Sequence, residues 1–138
     1  MRRPQNPTRL GKYEVRAKIG EGGMAVVYLG HFDGEGPPSQ ERVVALKVIK
    51  DEFSLNHDFV NMFLDEAKIV SKLAHPNIVQ VFELGSEGTR LFIAMELLFG
   101  QSFWHMWSAC RERQVRLRYD VAAWIGARAA SGSLYVVR

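Results

Sequence analysis

Residues 43–49 run Val43, Val44, Ala45, Leu46, Lys47, Val48, Ile49, an apolar stretch broken once, by a lysine. A run this rich in β-branched residues predicts a strand over residues 42–50 that is covered on both faces. Similar bias predicts strands at 13–21, 25–32, 78–84 and 89–96, with Gly85 and Gly88 marking the turn between the last two. Over residues 56–74 the period changes. Phe59, Phe63, Val70 and Leu73 recur at helical spacing. Helical patterning returns at 102–113 and again at 120–137, where Ala122, Ile125, Ala129, Gly132 and Val136 share a face. The order of elements predicts an α+β fold: a five-stranded antiparallel sheet with one main helix, followed by two further helices.

Lys47 is the position where this pattern demands chemistry. An unpaired ammonium on a covered strand is costly, so the lysine calls for an anionic partner or ligand. Glu66 falls on the apolar stripe of the next helix, three residues after Phe63 and four before Val70, which predicts a partly buried ion pair. Upstream, Gly20, Glu21, Gly22, Gly23, Met24, Ala25, Val26 and Val27 form a glycine-rich segment whose amides suit phosphate oxygens. A dinucleotide-binding unit would need a helix after these glycines. The next residues, Val26, Val27, Tyr28 and Leu29, instead favour a strand and lead to the turn-rich residues 33–38, so a hairpin is expected.

Composition narrows the setting. At 138 residues the chain has the size of one domain, and its net charge of +3 is modest. Arg111, Arg113, Arg116 and Arg118 read as a solvated helix end, with no aromatic platform interleaved, so no nucleic-acid partner is expected. Cys110 is the single cysteine, which excludes an internal disulfide and any zinc spacing and suits a reducing cytoplasm. Residues 1–12 read as a polar, flexible lead. No stretch has the pattern of a signal peptide or the length of a membrane helix, so no membrane partner is expected.

Taken in order, these motifs resemble the N-terminal lobe of a protein kinase of the bacterial serine/threonine type. Gly20, Gly22, Ala25 and Val27 occupy the positions of the GxGxxGxV loop, with alanine in place of the third glycine. Val44, Ala45, Leu46 and Lys47 match the VAIK strand; His75, Pro76, Asn77, Ile78 and Val79 match the turn out of the main helix. Residues 92–98 match the strand that runs into the family's hinge. The resemblance implies ATP as cofactor, with Lys47 on its α and β phosphates and paired to Glu66, and residues 20–25 covering the phosphates. It further implies Met95 as gatekeeper, the backbone of Glu96 and Leu98 on the adenine edge, and Ile19, Val27 and Ala45 as an apolar roof. By the same likeness residues 13–100 form the kinase-like lobe, and residues 101–138 the first helices of an incomplete second lobe.

The chain has no HRD or DFG sequence. His31, His57, His75 and His105 are followed by Phe, Asp, Pro and Met, so none opens a catalytic loop. The family's catalytic aspartate and its Mg2+ ligands therefore have no counterpart here, and the expectation is weak ATP binding without phosphoryl transfer, in a chain truncated before the catalytic loop. Phe103, Trp104, Met106 and Trp107 read as core or hinge packing in preference to a cofactor-stacking box. The apolar face over residues 120–137 leaves two alternatives open: a non-catalytic module that pairs with a separate second-lobe fragment or regulatory partner, or a gene remnant.

Overall fold

The computed structural model describes residues 6–32, 34 and 43–137. The first five residues of the lead, the first residue of the 42–50 strand and, apart from Gly34, the turn expected over residues 33–38 lie outside these.

Among the described residues six strands form one antiparallel sheet: β1 (Arg9–Leu10), β2 (Tyr13–Glu21), β3 (Ala25–Phe32), β4 (Val43–Ile49), β5 (Val81–Glu87) and β6 (Arg90–Glu96), in the order β1-β2-β3-β4-β6-β5. Five strands were expected, and β1 is the sixth. It lies in the stretch read as a flexible lead, yet Leu10 is fully buried and Val15 N–H donates to Thr8 O at 3.0 Å. The sheet curls until β1 meets β5, where Gly11 N–H donates to Glu87 Oε2 at 3.0 Å and Lys12 pairs with Glu83 at 2.5 Å. That pairing raises the Lys12 pKa, while burial raises that of Tyr13, whose hydroxyl also reaches Glu83.

β4 lies within the sheet and is covered on both faces, as its composition predicts. One face carries Val44, Leu46 and Val48, packed with Leu10, Tyr13, Tyr28, Phe92 and Ala94. On the other, Ile49 joins Ala25, Val81, Ile93 and two residues of the helix α1 (His57–Ser71), Phe63 and Ala67. Asn56 caps α1 by accepting from the N–H groups of Asp58 and Phe59, which satisfies two amides that the helix cannot pair internally.

β5 begins at Val81, three residues later than expected, because Ile78 N–H is engaged by His75 O at 3.0 Å. Gly85 does not form the turn; it sits inside β5, where a Cβ would lie 2.3 Å from the buried Phe92 ring. The turn belongs to Gly88, at φ +60°, the left-handed geometry that a two-residue hairpin loop requires at its first position.

The chain divides into two compact units. The first takes in the described residues up to Ala74 together with Gln80–Leu97, and the second takes in His75–Val79 and the described residues from Leu98 onward. The second contains α2 (Phe103–Glu112), capped by Ser102, and α3 (Tyr119–Val137). Within it, Asn77 Nδ2 donates to Arg128 O at 3.0 Å, and Gly132 leaves room for Asn77, whose carbonyl would stand 3.3 Å from a Cβ there. His75 acts as a turn residue: its Nδ1 accepts from Asn77 N–H at 3.0 Å.

The helix periods are met, but the aromatic packing expected in α2 is not. Phe103, Trp104 and Trp107 are 50%, 67% and 39% exposed, and the two tryptophan rings lie 5.2 Å apart, with Arg111 over Trp107. A ten-residue helix that buries none of its side chains has no core of its own to contribute.

Candidate functional site

Strand register places Lys47 between Val27 of β3 and Ile93 of β6. Because side chains alternate along a strand, Lys47 shares a face with Ala45 and Ile49, the face on which α1 packs. Lys47 Nζ and Glu66 Oε1 meet at 2.5 Å. The pair forms as the sequence predicts, but it is less buried than expected, with the lysine side chain 26% and the glutamate 53% exposed. The reason lies in the helix stripe. Phe63 and Ala67 point into the core with Val60 and Val70 beside them, so Glu66 sits on the flank and reaches across to the strand.

The glycine-rich segment is the turn of the β2–β3 hairpin. Gly20 pairs with Val27 and Glu21 with Val26, Gly22 N–H donates to Ala25 O at 2.8 Å, and Lys50 N–H donates to Met24 O at 2.9 Å. None of the three glycines is required by the hairpin. A Cβ on Gly20 or Gly22 would make only ordinary contact, at 3.8 Å, one on Gly23 would meet nothing, and no positive φ occurs among them. Ala25, in place of the family's third glycine, turns its methyl into the core beside Ile49, and only 5% of the residue is exposed.

Glu21 is placed otherwise than a ligand-facing residue. Its carboxylate takes Lys18 and Lys50, the latter at 3.0 Å, and these cations pull its pKa down to about 2. Lys18, Glu21 and Lys50 line a cavity of about 420 Å³ together with Val26, Tyr28 and Val48. Those three hydrophobic residues alternate with Val27 and Lys47 along their strands, so this cavity opens on the sheet face away from Lys47 and is distinct from the predicted site. Glu21 can offer that site backbone only.

Of the remaining positions, Met95 pairs with Ala45 across the sheet and packs beside the α1 core. Ile19 falls in an irregular step of β2 between Lys18 and Gly20 and is 49% exposed. Glu96 N–H donates to Gln80 O at 2.8 Å, and Glu96 Oε2 accepts from Gln80 N–H at 3.2 Å. Leu98 falls in the second unit and is 63% exposed. Sequence reasoning missed the grip of Lys50 and Lys18 on Glu21. Its one visible signal was Lys50 itself, a second charge closing the same apolar run.

The protein kinase domain pattern matches residues 13–127. The tyrosine-protein kinase MasK of Myxococcus xanthus is 44% identical over 93 residues, covering 67% of this chain and 14% of MasK. The serine/threonine-protein kinase PrkC of Bacillus subtilis is 36% identical over 92 residues, covering 67% of this chain and 13% of PrkC. The crystal structure of the Mycobacterium tuberculosis PknI kinase domain superposes with a TM-score of 0.70 at 25% identity, covering 93% of this chain and 49% of that one. The chain thus spans about half of a solved kinase domain and a smaller share of the whole kinases. Matched over most of its length by pattern, by relatives and by fold, it belongs to the protein kinase domain family.

Proposed function

We propose that this chain supplies the nucleotide-holding half of a serine/threonine protein kinase site. The observation that carries the reading is the Lys47–Glu66 contact of 2.5 Å on a strand next to a hairpin turn whose glycines its own fold does not need. A residue type that no neighbour explains is explained by something that comes close to the backbone, and phosphate oxygens fit a row of amides. In this reading Lys47 holds the α and β phosphates of ATP and Glu66 orients it. Residues 20–25 cover the phosphates, Ile19, Val27 and Ala45 roof the adenine, Met95 is the gatekeeper, and the backbone of Glu96 and Leu98 meets the adenine edge. Because Glu96 N–H is taken by Gln80, its carbonyl is the group that serves the ring.

Among the described residues no group of three or more His, Cys, Asp or Glu is placed to hold a metal. These 138 residues contain neither an HRD nor a DFG sequence. Phosphoryl transfer to serine or threonine therefore belongs to a protein that adds those elements, and the 138 residues alone bind ATP weakly without transferring phosphate. The proposed setting is a reducing cytoplasm, which the single cysteine Cys110 suits. No helix among the described residues is long and apolar enough to cross a membrane.

Titration with a fluorescent ATP analogue tests the reading. The wild-type chain binds, and Lys47→Met weakens binding about tenfold or more, as expected when a charge-assisted contact to phosphate is lost. Equal affinity of the two would refute it. With labelled ATP, Mg2+ and a generic protein substrate, incorporation by the wild-type chain that Lys47→Met abolishes would overturn the inactivity of the 138 residues.

A second reading draws on α2 and α3, where Trp104, Trp124 and Leu134 are each more than 60% exposed. Apolar surface of this kind suits coverage by a second-lobe fragment or a regulatory protein. Light scattering of the isolated chain decides: self-association or capture of a co-expressed second-lobe fragment supports this reading, and a stable monomer that ignores the fragment refutes it.

A further inference from the structure

We infer that Lys50 is a positioning residue that sets the height of the glycine-rich turn, by gripping it at both ends. Its ammonium holds the carboxylate of Glu21, the last residue of β2, at 3.0 Å. Its backbone N–H holds the carbonyl of Met24, the residue before β3, at 2.9 Å. The residues in between are Gly22 and Gly23, which bring no side chain to pack and so depend on what fixes their ends. Lys50 comes directly after β4, three residues after Lys47, so the grip ties the turn to the strand that carries the proposed phosphate-binding lysine.

Two features separate this arrangement from an ordinary surface ion pair, which contributes little. The Lys50 side chain is only 21% exposed, against 45% for Lys18, and one carboxylate is shared between the two lysines. The grip also lies on the sheet face away from Lys47, with Val26 and Val48, so Lys50 acts on a nucleotide without touching it. Its effect on affinity rests on the ATP reading above; its effect on the turn does not.

The test therefore has two arms on the whole chain. In the first, amide hydrogen exchange over residues 20–25 is followed without nucleotide. Lys50→Met is expected to speed exchange at Gly22 and its neighbours about threefold and leave α1 and the β5–β6 hairpin unchanged; Lys50→Arg restores protection. In the second, the fluorescent ATP analogue binds about threefold more weakly to Lys50→Met and with wild-type affinity to Lys50→Arg. Lys68→Met, which removes the same charge from an exposed site on α1, serves as control and is expected to change neither readout. Because Lys50→Met keeps the backbone contact to Met24, wild-type exchange in it, or a Lys68→Met variant that behaves like it, overturns the role of the ammonium in the grip. Faster exchange with unchanged affinity overturns its role in nucleotide binding. A wild-type chain that binds no nucleotide refutes the ATP reading, and the exchange arm still decides the grip.

Discussion

In the sheet unit Leu10, Leu46, Phe92 and Ala94 are no more than 1% exposed, whereas Trp104 in α2, Trp124 in α3 and Tyr119 at the start of α3 are 67%, 62% and 90% exposed. Both regions are rich in large apolar residues, but the sheet closes a core from its own strands and α1, while the helices of the second unit are held by local devices. Ser102 caps α2, Asn77 ties the preceding turn to α3, and arginines lie over Trp107 and Trp124. Every buried hydrophobic residue among those described belongs to the first unit. Burial and apolar composition are therefore separate properties, and only the first stabilises a fold.

The contrast is broken most severely by Phe92→Ala. Its ring is 1% exposed and packs edge-on to Tyr13, so its loss should cost about 3–5 kcal/mol in chemical denaturation. A value below about 1 kcal/mol would mean that the sheet core is no better packed than the helices.

Acid should act next. Arg90 donates to both oxygens of Asp51, at 2.8 and 3.0 Å, and holds that carboxyl below its ordinary value of 3.8. A carboxyl depressed in the folded state stabilises fully above its unfolded pKa and loses that contribution as pH falls through the folded one. Unfolding measured below about pH 4 should show this loss in the wild-type chain and a flatter profile in Asp51→Asn. The difference is at most about 1 kcal/mol, since the Asp51 side chain is 53% exposed. Parallel profiles would remove the pair from the stability of the sheet. The smallest effect belongs to Trp104→Ala, expected within about 0.5 kcal/mol of wild type by the same denaturation assay. A loss like that of Phe92→Ala would show that α2 is buried in solution.

The same division governs which elements were legible in the chain. β2, β3 and β4 were readable because β-branched runs and flanking turns carry a local period, and α1 because Phe63 and Val70 repeat at helical spacing. β1 was not, since two residues have no period, and Leu10 is buried only by residues distant in sequence. Gly85 was misread as a turn because a glycine needed for a neighbouring ring is written like one needed for φ. The Lys47–Glu66 contact could be anticipated from the place of Glu66 on the helical stripe after a covered lysine; its exposure depended on which flank of α1 Glu66 occupies. The link from Glu21 to Lys50 joins residues 29 apart, and its one trace in the sequence is the second charge that closes the β4 run.

The curl that brings β1 against β5 bears on how this chain behaves among its own copies. An open sheet offers unpaired N–H and C=O groups along its outermost strands, a template on which further chains can stack. Here one border has shrunk to Arg9–Leu10 and leans on the other, across which Lys12 and Glu83 lay down charge. Removing the first ten residues would take away the short strand that covers Tyr13–Glu21 and leave the charges of Glu14, Arg16 and Lys18 and the irregular steps of β2 as what keeps that new border from pairing with another copy.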